Sequence, residues 1–366
     1  MNNQNWYSLN STESVVSPSL LVYPDRIEKN IMRMIQIAGG TTQLRPHVKT
    51  HKTAEIIQMQ MACGIQKFKC ATIPEAALLG QCGAKDILLA MQPVGANVSR
   101  FFDLISAYPQ SEFSTLVDNH ESINVISKSA DARDVEADLY LDLNTGMNRT
   151  GIIPGEKAAT LFKTIVSHPN LNAKGLHAYD GHLRNTNLAT QKKACDAAFE
   201  GLMKLKERLE SEGFKVENII AGGSPTFPVH AKRPGVEASP GTTLLWDEGY
   251  GTLFPDMGFL HAAVLVTRII SKPSPSLICL DLGHKAIAPE MGFPKVKIFG
   301  MEACEQIGQS EEHLVISCPD NSTFTIGDVY YAIPQHICPT VAKYPEVLTV
   351  KNGEISGSWR VAARDH

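Results

Sequence analysis

The stretch RPHVKTHK (residues 45–52) crowds an arginine, two histidines and two lysines into eight positions. A lysine in such a run has two uses. On the surface it is a solvated cation whose stem lies along apolar neighbours. At the end of a buried strand it aims a primary amine into a cleft, where it can condense with an aldehyde. Lys49 closes the strand-like run TQLRPHVK (42–49) and is the candidate for the second use. Lys52, three residues on, is expected to open the next helix and meet solvent. Four other loops carry complementary groups. NTGMNRTG holds Arg149, and HAYDGHLR holds His177, Tyr179 and His182. AGGSPT supplies Gly222, Gly223 and Ser224, and SPGTT supplies Gly241 and Thr242. Near the C-terminus, PQHICPT places His336 and Cys338 at i and i+2, which in a strand share one face. An imidazole and a thiolate suit zinc better than magnesium or calcium, and two protein ligands leave positions open for water or substrate.

The elements that would position these groups alternate. Strand-like runs at 42–49, 67–73, 86–91, 112–118, 137–143, 173–179, 216–222 and 235–241 are separated mostly by helix-like runs such as 97–108 and 188–210. Strands alternating with helices predict a parallel sheet. Eight units predict a (β/α)8 TIM barrel over residues 20–250, since the rival open sheet would want a glycine-rich turn after its first strand and HVKTHK has none. Residues 251–366 are β-rich without long helical patterns. They predict a second, smaller C-terminal β domain, with residues 1–19 a candidate addition and SLLVY (19–23) an extra strand for either domain.

In a barrel, functional groups gather at the C-terminal ends of the strands, and the loops after strands seven and eight form the habitual phosphate site. Lys49 ends strand one, Arg149 follows strand five, Tyr179 closes strand six, and the two glycine loops follow strands seven and eight. Amine, guanidinium and phosphate cradle on one mouth suit pyridoxal phosphate. A guanidinium facing the ring nitrogen keeps its own proton, which leaves the pyridine unprotonated and the cofactor a weaker electron sink.

The bulk composition sets limits. At 43% apolar and 20% charged, 366 residues suffice for a large domain plus a smaller one. A net charge of −4 gives no footprint for nucleic acid. No apolar run reaches the roughly 18 residues of a membrane span. The N-terminal MNNQNWYSLNSTES lacks the order of a signal peptide, and the eight cysteines show no CxxC spacing. These features lead to an expectation of a soluble, cytoplasmic protein acting on a small molecule.

RPHVKTHK, GMNRTG, GLHAYDGH, GGSPT, EASPGT, DLGHKA and PQHICPT together resemble the D-threonine aldolase and D-serine dehydratase family. These are pyridoxal-phosphate enzymes with an alanine-racemase-like barrel and a C-terminal β domain. The resemblance implies that Lys49 carries the internal aldimine, Arg149 faces the pyridine nitrogen, Tyr179 lies near the cofactor, and the GGS and GT loops hold the phosphate. It further implies a divalent metal at His336 and Cys338, zinc favoured by the cysteine and manganese the alternative. A D-amino acid substrate and a homodimer are implied as well. Two reactions remain open. Retro-aldol cleavage of D-threonine-type substrates needs a base at the β-hydroxyl, for which His182 and His177 are the candidates. Dehydration of D-serine or D-3-hydroxyaspartate needs only that hydroxide leave. A racemase, which needs no metal, and a non-catalytic pyridoxal-phosphate carrier, which resembles the barrel alone, are the remaining alternatives.

Overall fold

A computed structural model describes residues 5–366. Residues 1–4, part of the N-terminal segment considered as an addition to the β domain, lie outside the described residues. The chain forms two compact units, one of residues 34–49 and 57–241, the other built mainly from the N-terminal residues through 33 and from 242–365.

Strand β1 (Ser19–Val22) comes first in the chain and belongs to the second unit. The first unit is built on seven parallel strands: β2 (Lys67–Cys70), β3 (Asp86–Leu89), β4 (Glu112–Val117), β5 (Ala137–Leu143), β6 (Leu171–Ala178), β7 (Asn218–Ala221) and β8 (Val236–Ala238), side by side in that order. The predicted first barrel strand, 42–49, is not a regular strand. It meets both edges of the sheet through single parallel pairings, Leu44 with Ala238 and His47 with Lys69. Pro46 lies between them and has no N–H to donate, so the ladder cannot run on. The segment still closes the curl: Arg45 and His47 donate backbone N–H groups to Ala238 and Pro240, and Lys69 donates to Pro46.

Arg45 explains part of the crowding in RPHVKTHK. It is fully buried, its guanidinium bidentate to Asp86 at 2.6 Å and its Nε donating to Glu237 at 2.6 Å. Burial opposes the charge, but the hydrogen bonds to Asp86 and the charge of Glu237 outweigh it and raise the guanidinium pKa further. One side chain thus ties the closing segment to β3 and β8. The helices behave as their caps predict. Thr72, Asn119 and Asn187 each accept a backbone N–H three residues on, opening Ile73–Gln81, His120–Asp131 and Leu188–Ser211. In His120–Asp131, Ile123, Ile126 and Ala130 form the buried stripe.

The second unit is a mixed sheet. Its long strand β9 (Ala263–Ser274) pairs antiparallel with β1, with β10 (Leu277–Leu280) and with β14 (Val329–Pro334). β11 (Val296–Ile298) joins β14, while β12 (Glu305–Gln309) and β13 (Leu314–Ser317) extend the β10 edge. β15 (Glu346–Lys351) pairs parallel with β1 and antiparallel with β16 (Glu354–Arg360). SLLVY therefore belongs to the C-terminal sheet, where Leu21 and Tyr23 pack with Val264, Val266, Ile333 and Val350. Lys52 departs from expectation. It is buried at φ +55°, outside any helix, and Nζ donates to the Ala363 carbonyl at 3.3 Å. The helix begins only at Ala54.

Candidate active site

Lys49 lies in a 3-10 turn, Val48–Thr50, with its side chain exposed, and its backbone N–H donates to His47 Nδ1 at 3.2 Å. Tyr179, the first residue after β6, is half-buried. Arg149, from the loop after β5, lays its guanidinium 4.9 Å from the centre of the Tyr179 ring. Gly223 backs the same ring, where a Cβ would come within 2.8 Å of Tyr179 Cε2. Gly222 sits at φ +80°, in the left-handed region, and a Cβ there would strike His230 Cδ2 at 2.7 Å and Thr226 Oγ1 at 2.9 Å. Ser224 Oγ accepts the Gly241 N–H at 3.1 Å, which joins the loops after β7 and β8. The barrel unit therefore brings Arg149, Tyr179, Gly222, Gly223, Ser224 and Gly241 to the strand ends, as a pyridoxal-phosphate site requires. The exposed amine of Lys49 and the close-approach glycines fit that cofactor. Thr242 falls in the other unit, where its hydroxyl lies 3.5 Å from Cys338 Sγ.

The two candidate bases have different surroundings. His177 is buried with both ring nitrogens engaged: Nδ1 lies 2.6 Å from Asp142 Oδ1 and Nε2 lies 2.7 Å from Lys69 Nζ. Burial and the Lys69 charge push its pKa below the usual histidine value. For Asp142 burial pulls upward, but the hydrogen bond from His177 prevails and holds the carboxyl below its ordinary range. His182 is exposed and rests on Gly146, where a Cβ would come within 2.9 Å of Nε2.

A second buried cluster braces the glycine loop from behind. Asp180 accepts the Thr226 hydroxyl at 2.6 Å and lies 2.7 Å from His230 Nε2, while Thr226 Oγ1 accepts the Gly223 N–H at 3.1 Å. Asp180, Cys195 and His230 bring their donor atoms within 4.8 Å of one another. Metal spacing alone does not make a metal site. Burial and the Asp180 charge push the Cys195 thiol up to about 12, and both Asp180 oxygens are engaged within the cluster.

In the C-terminal unit, His336 and Cys338 do not come together as alternate residues of a strand. β14 ends at Pro334, and His336 caps the short helix Ile337–Val341. The turn still brings the two side chains into hydrogen-bond contact. Burial lowers the His336 pKa, but Cys338 and Glu290 outweigh it and push it up to about 9. Nδ1 lies 2.6 Å from Glu290 Oε1, the carboxylate-to-imidazole arrangement that orients a metal-binding histidine. Cys338 Sγ lies 3.0 Å from Thr50 Oγ1. Imidazole, thiol and a supporting carboxylate form a donor set that fits zinc.

Lys69, Asp142, Asp180 and Glu290 were not singled out from the sequence. Two of them left a signal. Lys69 in KFKC and Asp142 in YLDL are charged residues flanked by apolar ones, each one position from the C-terminal end of its strand. Asp180 and Glu290 lie in loops and are recognisable only by the partners that the fold supplies.

The chain is similar across most of its length to proteins of known kind. It is 26% identical over 364 residues to a 3-hydroxy-D-aspartate aldolase of Paracoccus denitrificans (strain Pd 1222), covering 96% of this chain and 92% of that protein. It is 26% identical to a D-threonine aldolase of an Arthrobacter species, covering 96% and 93%. The crystal structure of D-threonine aldolase from Filomicrobium marinum superposes with a TM-score of 0.87 at 24% identity, covering 95% of this chain and 96% of that one, which shows the shared fold. Residues 262–350 match a putative serine dehydratase domain. Residues 22–247, well over half the chain, match the alanine racemase N-terminal domain, and the chain belongs to that family.

Proposed function

We propose that the protein is a pyridoxal-phosphate- and divalent-metal-dependent lyase. It cleaves D-β-hydroxy amino acids of the D-threonine type by a retro-aldol reaction, giving glycine and an aldehyde. The observation that carries this reading is the exposed amine of Lys49 on the barrel that also gathers Arg149, Tyr179 and the Gly222–Ser224 loop. Two relatives named as aldolases of D-β-hydroxy amino acids, each matching 96% of this chain, support it. Pyridoxal phosphate, when bound, supplies the electron sink for the bond broken at the substrate Cα. Lys49 holds it covalently. Tyr179 and Arg149 flank it, with Arg149 donating to the ring nitrogen, and Ser224 with the glycine loops receives its phosphate. Gly241 and Thr242 belong to the same phosphate assignment.

Cleavage requires a group that takes the β-hydroxyl proton. His182 is that base, because its ring is exposed whereas both nitrogens of His177 are engaged. His336 and Cys338 hold the divalent cation, zinc before manganese, with Glu290 orienting the imidazole. Such a cation supplies Lewis acidity to a hydroxyl oxygen. The protein works as a homodimer.

A second reading is dehydration of D-serine or D-3-hydroxyaspartate, favoured by the match of residues 262–350 to a putative serine dehydratase domain. The two reactions share Lys49 and the metal and differ in the need for a base. The residue test is His182→Ala assayed with D-threonine and D-serine. Loss of glycine formation, with the cofactor still bound, supports the aldolase. Ammonia and 2-oxobutanoate released at an undiminished rate would establish the dehydratase.

A further inference from the structure

Lys69 is an unusual occupant of its position. It lies in β2 and is only 3% exposed, yet its Nζ meets His177 of β6 at 2.7 Å. β2 and β6 are separated by three strands in the sheet, so the amine reaches across the interior of the curled sheet. An apolar side chain would fill that space without the cost of burying an amine. Asp142 engages only Nδ1 of His177, at 2.6 Å, and the lysine amine is what meets the buried Nε2. The charges of Lys49, Arg45 and Arg149 act against its own, that of Asp142 favours it, and the Tyr179 ring lies 5.8 Å away. Strongly perturbed groups of this kind cluster at functional sites.

We propose that Lys69 is a positioning residue for the anionic cofactor, the last member of an Asp142–His177–Lys69 chain that keeps one titratable positive charge beside Lys49. This inference rests on the reading of the barrel as a pyridoxal-phosphate site. In the chain, Asp142 orients the His177 ring and His177 Nε2 faces the amine, so the Lys69 proton is held within the barrel and exchanges with water as pH changes. Burial first, and then the Lys49, Arg45 and Arg149 charges, lower the Lys69 pKa to about 7, while Asp142 raises it. An anion binding nearby favours the charged amine and raises that pKa again. Affinity for the anion is therefore full below about pH 7 and falls as pH rises from there to the higher pKa of the complex.

The test uses 4′-deoxypyridoxine 5′-phosphate, which lacks the aldehyde and so binds without bonding to Lys49. Its dissociation constant is measured from pH 6 to 9 for the wild type, Lys69→Met and Lys69→Arg. Relative to Lys69→Arg, whose guanidinium keeps its charge throughout, the wild type should lose affinity above neutrality by up to about tenfold per pH unit. Lys69→Met should bind more weakly at pH 6 and lack the wild-type step. Calorimetry of the wild type at pH 8 in buffers of different ionisation enthalpy should show proton uptake that Lys69→Arg does not share. Wild-type and Lys69→Arg curves of the same shape, with no uptake in either, would overturn the inference. That result remains readable if Lys69→Met does not fold. Failure of every form, the wild type included, to bind the probe at any pH would instead count against the cofactor assignment.

Discussion

Lys49 and Lys52 stand three residues apart in a run of basic side chains, and their surroundings are opposite. Lys49 is exposed at the end of the segment that closes the barrel, while Lys52 is buried with its amine on the Ala363 carbonyl. Borohydride reduction followed by mass mapping should fix pyridoxal phosphate to Lys49 in the wild type and in Lys52→Ala, and leave no fixed cofactor in Lys49→Ala. Fixation lost in Lys52→Ala but kept in Lys49→Ala would reverse the assignment. His182 and His177 also separate. His182→Ala should lower the rate of D-threonine cleavage by roughly 10²–10⁴-fold, the usual contribution of a general base, while cofactor binding persists. Equal rates for wild type and His182→Ala would remove it from that role. The placement of Arg149 and Tyr179 just past β5 and β6 was legible because both strands have a recognisable pattern, whereas Lys49 follows a segment that only resembles a strand. The burial of Lys52 was not legible, because its partner lies more than 300 residues away.

At the scale of elements, strand positions were legible wherever apolar residues clustered between turns. ADLYLDL is the strand Ala137–Leu143, and the long helix predicted at 188–210 is Leu188–Ser211. The closing segment was misread as a full strand because its apolar and polar residues suit one, and only Pro46 marks the gap in its hydrogen bonding. β16 escaped notice because EISGSWR is largely exposed and has no buried face to pattern. The turn carrying His336 and Cys338 was read as a strand because the two-residue spacing suits either geometry. Arg45 gives the closing segment its anchor, and its removal leaves Asp86 without its bidentate partner and Glu237 with Lys67 alone of the two. Arg45→Met should therefore destabilise the barrel by about 3–5 kcal/mol in denaturant unfolding, as breaking a buried ion pair on one side does. A loss under about 1 kcal/mol would show that the closure does not depend on this network.

The whole molecule combines a barrel of the alanine racemase N-terminal domain family with a β-rich unit that carries His336 and Cys338. No helix among the described residues is long and apolar enough to cross a membrane. Light scattering should give twice the 40.0 kDa of the chain, as the proposed homodimer requires, and a mass of one chain would dismiss it. A chelator should abolish turnover while leaving the visible absorption of the bound cofactor, and Cys338→Ala should do the same. Full activity in a rigorously metal-free preparation would remove the metal from the reaction. The most direct test of the central claim is product analysis after incubating the protein, loaded with pyridoxal phosphate and zinc or manganese, with D-threonine. Equimolar glycine and acetaldehyde is the predicted result, and 2-oxobutanoate with ammonia, or D-threonine converted only to another stereoisomer, would contradict it.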